Sequence, residues 1–96
     1  MATKPENPGY IDNKEALVNR MRRISGQVGG VERMIQEERY CIDILTQISA
    51  VQAALDKVAI GVLDDHARHC VVGADASNRE EKTEEMMGAV ARLLGR

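Results

Sequence analysis

Residues 41–72 read CIDILTQISAVQAALDKVAIGVLDDHARHCVV, and this stretch determines the fold class. Its apolar residues recur at steps of 4, 3, 4, 3 and 4, which is the spacing of one helical face. These residues are Ile44, Ile48, Val51, Leu55, Val58 and Val62. No proline interrupts the stretch, so it predicts one helix of roughly 45 Å. Because a single chain of 96 residues cannot cover a stripe of that length, the pattern favours packing against other copies.

Two shorter helices are predicted on either side of this stretch. Apolar residues recur with the same spacing between Leu17 and Ile35, and a third group between Met86 and Leu94 follows a break in the pattern. Ser77 and Glu80 resemble a capping box at the start of the third helix. No segment alternates with period two over a useful length. The predicted fold class is therefore all-α, with three helices per subunit.

The composition fits a helical subunit that completes its core by assembly. The chain has no Phe or Trp and only two Tyr, so aliphatic side chains and Met must form the core. A domain of this length buries a modest fraction of its surface, and oligomerisation commonly stabilises such small chains.

The sequence predicts a disordered N-terminal tail followed by one folded domain. Residues 1–11, which contain two prolines, are predicted to form a disordered tail, and residues 12–96 a single domain. The first residues lack the apolar segment of a signal peptide, and no apolar run has the length of a membrane span. We therefore expect a cytoplasmic protein, in which cysteines more often bind metal or undergo redox chemistry than form structural disulfides.

Three residues form a candidate metal site: Cys41, His66 and Cys70. His66 and Cys70 are four residues apart, which places them on one face of a helix. Cys41 is roughly 37 Å from His66 along a continuous helix, so one unbroken helix cannot bring the three together. Two antiparallel copies can, and they would form two equivalent sites per dimer, each shared between protomers.

Two thiolates and one imidazole are a soft set of three ligands. Soft thiolates favour Cu(I), zinc or iron–sulfur chemistry, and three ligands favour Cu(I) because structural zinc usually takes four. His69 is a poorer partner, since it projects about 100° away from its neighbour Cys70 around the helix. The alternative is that the cysteines are small core residues and that His66 only interacts with the helix dipole.

Longer motifs around these residues resemble a known family. Residues 40–52, YCIDILTQISAVQ, and the pattern Arg20-x-x-Arg23-x-x-Gly26-Gln27-Val28 resemble the CsoR/RcnR-type metal-sensing repressors. The spacing of the two cysteines and His66 is similar to that of the copper-sensing members. The resemblance covers nearly the whole chain, from about residue 13 to residue 94.

The resemblance implies an antiparallel four-helix-bundle dimer that assembles into a homotetramer, a dimer of dimers. It implies Cu(I) bound by Cys41 of one protomer and by His66 and Cys70 of the other. It also implies a repressor that binds operator DNA in the apo form and leaves it when Cu(I) binds, which derepresses copper-efflux genes. Tyr40 and Glu85 match family positions in a hydrogen-bond network around the ligand histidine, which would fix the imidazole orientation.

Other members of the family differ at the ligand positions. The nickel and cobalt sensors have His where this chain has Cys70, and they use an N-terminal His where this chain has Thr3. The formaldehyde sensors lack the third ligand thiol, and the persulfide sensors lack the middle His. Cys70 and His66 therefore favour copper sensing.

The charges indicate a local basic surface although the net charge is −2. Basic residues concentrate in the first helix, whereas the last helix is acidic. The candidate DNA contacts are Arg20, Arg22, Arg23, Gln27 and Lys57, the last of which matches a basic position of the family. Gln27 reaches either a base edge or a phosphate, and both interpretations stay open. The alternative is that the arginines form a solvated helix face paired with glutamates.

Two other functions would use the same residues. A copper-buffering protein would share the metal site without binding DNA. A sensor of persulfide or oxidants with the same fold would instead react through Cys41 and Cys70 of opposite chains. The sequence contains no Ser/His/Asp set and no phosphate-binding glycine loop, so no enzymatic activity is predicted.

Overall fold

The computed structural model describes residues 10–95. Helix α1 spans Lys14–Gln36, α2 spans Cys41–His66 and α3 spans Ala76–Leu94. A short 3-10 helix, Ile11–Asn13, precedes α1, and Ala67–Val72 forms a π-helical segment, hereafter the π segment, that directly continues α2. The described residues contain no strand, which confirms the predicted all-α fold with three helices. None of the helices in this part of the chain is long and apolar enough to cross a membrane.

The described chain divides into two compact units. One unit is Lys14–Ile60, which contains α1 and the first part of α2. The other consists of residues 10–13 and 61–95, with the end of α2, the π segment and α3. The predicted single domain over residues 12–96 stays a prediction. Of the predicted tail, residues 1–9 lie outside the described residues, whereas Ile11 already belongs to the 3-10 helix.

A helix C-cap motif separates α1 from α2. The Arg39 N–H donates to the Met34 carbonyl at 2.9 Å, and the Glu38 N–H donates to the Ile35 carbonyl at 3.1 Å. These are the two hydrogen bonds of a Schellman motif, which requires a left-handed residue at the position of Glu38. Glu38 has a φ of 56°, a conformation that costs a non-glycine residue about 1 kcal/mol. The motif ends α1 just after Ile35, the last residue of the predicted apolar stripe.

The apolar stripe of α1 is only partly buried. Leu17 and Ile24 are buried, with 7% and 5% of their surface exposed. Met21, Val28 and Ile35, which alternate with them, stay exposed. Among the described side chains, Leu17 and Ile24 are the only buried ones. This single chain therefore leaves most of its predicted core open to solvent.

The end of α2 differs from the predicted single α-helix over residues 41–72. The α-helical hydrogen bonding ends at His66, and the i→i+5 pattern of a π-helix follows over Ala67–Val72. Gly73 comes directly after the π segment, where a Cβ atom would lie 3.0 Å from the His69 carbonyl oxygen. A side chain at this position would crowd that carbonyl, which glycine avoids because it has no Cβ atom.

The predicted capping box of the third helix is wrong. Asp75 is the N-cap residue, in an extended conformation and with no capping hydrogen bond from its side chain. Its carbonyl accepts hydrogen bonds from the N–H groups of Asn78 and Arg79, so the helix has already begun when the chain reaches Ser77. Helix α3 packs against the π segment within the second unit.

Candidate metal site and basic groove

The three predicted metal ligands lie at the two ends of α2. Cys41 is the first residue of α2 and is exposed, whereas His66 is its last residue and is half-buried. Cys70 lies in the π segment and is also half-buried. Neither cysteine forms a disulfide. Cys41 belongs to the unit Lys14–Ile60, and the other two ligands belong to the second unit.

His66 and Cys70 occupy neighbouring turns of one continuous helical path. His66 ends the α-helical part and Cys70 is four residues further along, in the π segment. The π-helical pattern widens the turn between them without breaking the path. π-Helical turns are frequent at functional sites, and this one contains the predicted thiol ligand.

The His66 imidazole has an unsatisfied nitrogen. Its Nε2 atom is buried and has no hydrogen-bond partner in the described chain. Leaving a buried polar atom unpaired costs about 1–3 kcal/mol, so such an atom calls for a partner from outside the chain. Together with two thiols, this imidazole fits a soft ion such as Cu(I). The donor set is therefore chemically suited to the metal that the sequence predicts.

His69 makes a different interaction. Its Nε2 atom lies 3.6 Å from Oδ2 of Asp12, in the 3-10 helix that precedes α1. This contact agrees with the choice of His66 rather than His69 as the ligand. Within the described residues, no group of three His, Cys, Asp or Glu side chains is placed to hold one metal ion.

Tyr40 and Glu85 are the two residues predicted to form a hydrogen-bond network around the ligand histidine. Tyr40 precedes α2 and is 67% exposed. Its backbone carbonyl accepts hydrogen bonds from the N–H groups of Asp43 and Ile44. Glu85 is exposed on α3. Since Nε2 of His66 has no partner here, neither side chain bonds to that nitrogen. Their predicted role stays a prediction.

Asp65 is a feature that the sequence did not single out. Its Oδ2 atom is buried without a hydrogen-bond partner in the described chain, directly beside His66 in the sequence. In the sequence it is the second of two adjacent aspartates, and nothing in the pattern distinguishes it from the exposed Asp64. Only the three-dimensional structure shows that one of the two carboxylates is shielded from water.

Four of the five candidate DNA contacts line one groove, hereafter the basic groove. Arg20, Arg23 and Gln27 come from α1, and Lys57 comes from α2, all within the unit Lys14–Ile60. The groove has a volume of about 320 Å³, and Ile24 and Ala54 complete its lining.

The spacing along α1 explains why these residues converge. Arg20, Arg23 and Gln27 are separated by steps of three and four, so they share one face of the helix. Arg22 lies outside the lining although it is exposed on the same helix. Helical spacing predicts the shared face of α1, whereas Lys57 of α2 was a candidate only through the family resemblance.

Comparison with known proteins places the chain in a family. A family model described as metal-sensitive transcriptional repressor matches residues 13–92. The chain is 48% identical over 89 residues to the copper-sensing transcriptional repressor RicR of Mycobacterium tuberculosis, covering 90% of this chain and 93% of RicR. It is 52% identical over 81 residues to the copper-sensing transcriptional repressor CsoR of Bacillus subtilis, covering 84% of this chain and 74% of that protein.

Two solved structures share the fold. The copper-sensing repressor CsoR with Cu(I) from Geobacillus thermodenitrificans matches with a TM-score of 0.78 and 39% identity, covering 98% of this chain and 94% of that one. The nickel-responsive transcriptional regulator InrS matches with a TM-score of 0.70 and 43% identity, covering 81% and 89%. With a family model that spans most of its length, this chain belongs to the metal-sensitive transcriptional repressors.

Proposed function

We propose that this protein is a Cu(I)-responsive transcriptional repressor. It binds operator DNA in the metal-free form and is released when Cu(I) binds, which derepresses genes for copper efflux or resistance. The observation that carries the proposal is the donor set of two thiols and an imidazole whose buried Nε2 lacks a partner. The copper-sensing relatives RicR and CsoR support the same choice of metal.

The metal site is completed by a second copy of the chain. Cys41 and His66 are the two end residues of one 26-residue α-helix, and a helix of that length spans roughly 37 Å. We assign Cys41 of one protomer to the same site as His66 and Cys70 of its partner, in an antiparallel dimer. Bound Cu(I) supplies a soft centre that ties the thiolates and imidazole of two chains together.

The assembly is a homotetramer built as a dimer of dimers. The exposed apolar residues on α1 and the half-exposed stripe of α2 supply surface for the contacts between protomers. Burial of apolar area is the main source of free energy for such contacts. A repressor acts on genomic DNA, so we place the protein in the cytoplasm, and this regulatory role requires no catalytic step.

The π segment provides a route from the metal to the rest of the subunit. It contains Cys70 and packs against α3, and we propose that a change in the position of the thiol is passed to that helix through this contact. Tyr40 and Glu85 are proposed to connect the ligand histidine to the same helix. Cu(I) must bind the DNA-incompetent form more tightly, which typically means a coupling of about 1–3 kcal/mol.

A titration of the protein–DNA complex tests this function. The probe is a labelled duplex from the region upstream of the protein's own gene, and Cu(I) is added anaerobically while anisotropy is recorded. We expect Cu(I) to weaken DNA binding roughly 5–150-fold, and DNA to weaken Cu(I) binding by the same factor. Zn(II) and Ni(II) are the controls.

The other outcomes of this titration would each favour a different function. Release by Ni(II) alone would favour a nickel sensor, the function for which InrS is named. Binding of Cu(I) by a protein that does not bind the duplex would favour a copper-buffering protein. Release by an oxidant or persulfide, with no response to metals, would favour a thiol sensor.

Because most of the predicted core is exposed in the single chain, we predict that the thermal stability of the protein depends on its concentration. Because Leu17 and Ile24 are the only buried side chains among those described, subunit contacts must supply much of the folding free energy. We expect the thermal midpoint, followed by far-UV circular dichroism, to fall by about 5 °C for each tenfold dilution. A midpoint that does not change with dilution would contradict an obligate assembly.

A further inference from the structure

We propose that the basic groove holds a phosphate of the DNA backbone, and that Gln27 donates to that phosphate instead of reading a base. The proposal rests on the proposed function and specifies how the repressor contacts its DNA. It decides between the two roles that the sequence leaves open for Gln27.

The shape of the surface is the first argument. Gln27 lines a recess of about 320 Å³ together with Arg20, Arg23 and Lys57. Base edges lie at the bottom of a major groove about 8.5 Å deep, so reading them requires side chains that project from a convex element. A recess instead accepts a group that protrudes from its partner. The protruding groups of a duplex are its phosphates.

The charge of the lining is the second argument. Three of its six residues are cationic, and none of the six is acidic. Arginine and lysine form short, charge-assisted hydrogen bonds with phosphate oxygens. The amide of Gln27 lines the same groove as these cations, and its NH₂ group is a donor that can complement an anion held by them. Amide side chains commonly donate to phosphate oxygens in protein–DNA complexes.

The apolar residues in the lining of the groove are the third argument. Ile24, which is only 5% exposed, and Ala54 line the groove together with the cations. Apolar lining residues lower the local dielectric constant, which strengthens the attraction between the cations and a bound anion. The packing of Ile24 also fixes the backbone of α1 between Arg23 and Gln27, so their side chains start from a rigid base.

The test compares two duplexes at several salt concentrations. One duplex comes from upstream of the protein's own gene, and the other is an unrelated duplex of equal length and base composition. The variants are Gln27→Ala, Gln27→Glu, Arg23→Ala and, as a matched control, Gln36→Ala, an exposed amide on the same helix outside the groove. Circular dichroism confirms that each variant retains its helices.

We expect Gln27→Ala to weaken binding to both duplexes by the same factor, so that their affinity ratio is unchanged. Gln27→Glu should weaken both roughly tenfold or more, because it introduces an anion beside the phosphate. Arg23→Ala should lower the slope of log K against log salt by about one unit on both duplexes. Gln36→Ala should behave as the wild type.

Two results would overturn the phosphate assignment. One is a Gln27→Ala variant that loses affinity for the upstream duplex alone, since a base contact affects only the specific sequence. The other is a Gln27→Ala variant that binds both duplexes as the wild type does. In either case a wild-type protein that still prefers the upstream duplex leaves the repressor function standing. A wild-type protein that binds neither duplex would instead refute the repressor function itself.

Discussion

Replacing Cys41 by alanine is expected to abolish the response to copper while leaving DNA binding intact. Cys41 is exposed at the first residue of α2, so the substitution removes a ligand without opening a cavity. The unit that contains it also contains the basic groove, whose lining does not include Cys41. The roughly 5–150-fold loss of DNA affinity on Cu(I) addition should fall to no measurable change.

The matched control for this experiment is His69→Ala. His69 lies next to Cys70 but contacts Asp12 in this structure, so its removal spares all three proposed ligands. We expect the variant to release DNA with Cu(I) as the wild type does. Both variants are compared by anaerobic Cu(I) titration of the complex with the upstream duplex. Copper-driven release from the Cys41→Ala protein would refute the assignment of this ligand.

Mixing two inactive variants is expected to restore copper binding. A Cys41→Ala subunit keeps His66 and Cys70, and a Cys70→Ala subunit keeps Cys41. In an antiparallel heterodimer one site combines the intact halves, while the other combines both defects. Equal amounts mixed at random give half heterodimers, each with one intact site of two. The mixture should therefore bind about one quarter of the wild-type amount of Cu(I) with wild-type affinity.

A second mixture provides the control. His66→Ala and Cys70→Ala damage the same half of the site, so their heterodimers contain no intact site and should bind no Cu(I) tightly. The measurement is Cu(I) competition with a chelator after the subunits are unfolded and refolded together. A site contained in one chain would give no recovery in either mixture. That result would reject the shared site while leaving the three ligands unchallenged.

The helices were predictable because each carries a long apolar stripe. The stripe from Leu17 to Ile35 predicts α1 within a few residues, and the longer stripe predicts α2 from its first residue. The π segment was not predictable, because over six residues the apolar pattern of a π-helix cannot be distinguished from that of an α-helix. The start of α3 was predicted two residues late, because the helix begins at Asp75 through its backbone carbonyl and not through a capping side chain that the sequence pattern could reveal.

The metal site and the basic groove were also predictable only in part. Ligand chemistry and spacing identify His66 and Cys70 as neighbours, since they are local in sequence. The Nε2 atom of His66 and the Oδ2 atom of Asp65 are buried without hydrogen-bond partners, which is visible only in the structure. Similarly, steps of three and four align Arg20, Arg23 and Gln27, but only folding brings Lys57 to the same groove.

The sparse burial of this chain has a consequence for the number of sensor molecules in a cell. A newly made subunit exposes Val28, Ile35 and much of the α2 stripe until it meets another copy. Exposed apolar segments are what proteases and chaperones recognise, so an unassembled subunit has a shorter lifetime than an assembled one. Degradation therefore removes solitary subunits first. A cell that makes very few copies retains fewer working repressors than its rate of synthesis would suggest.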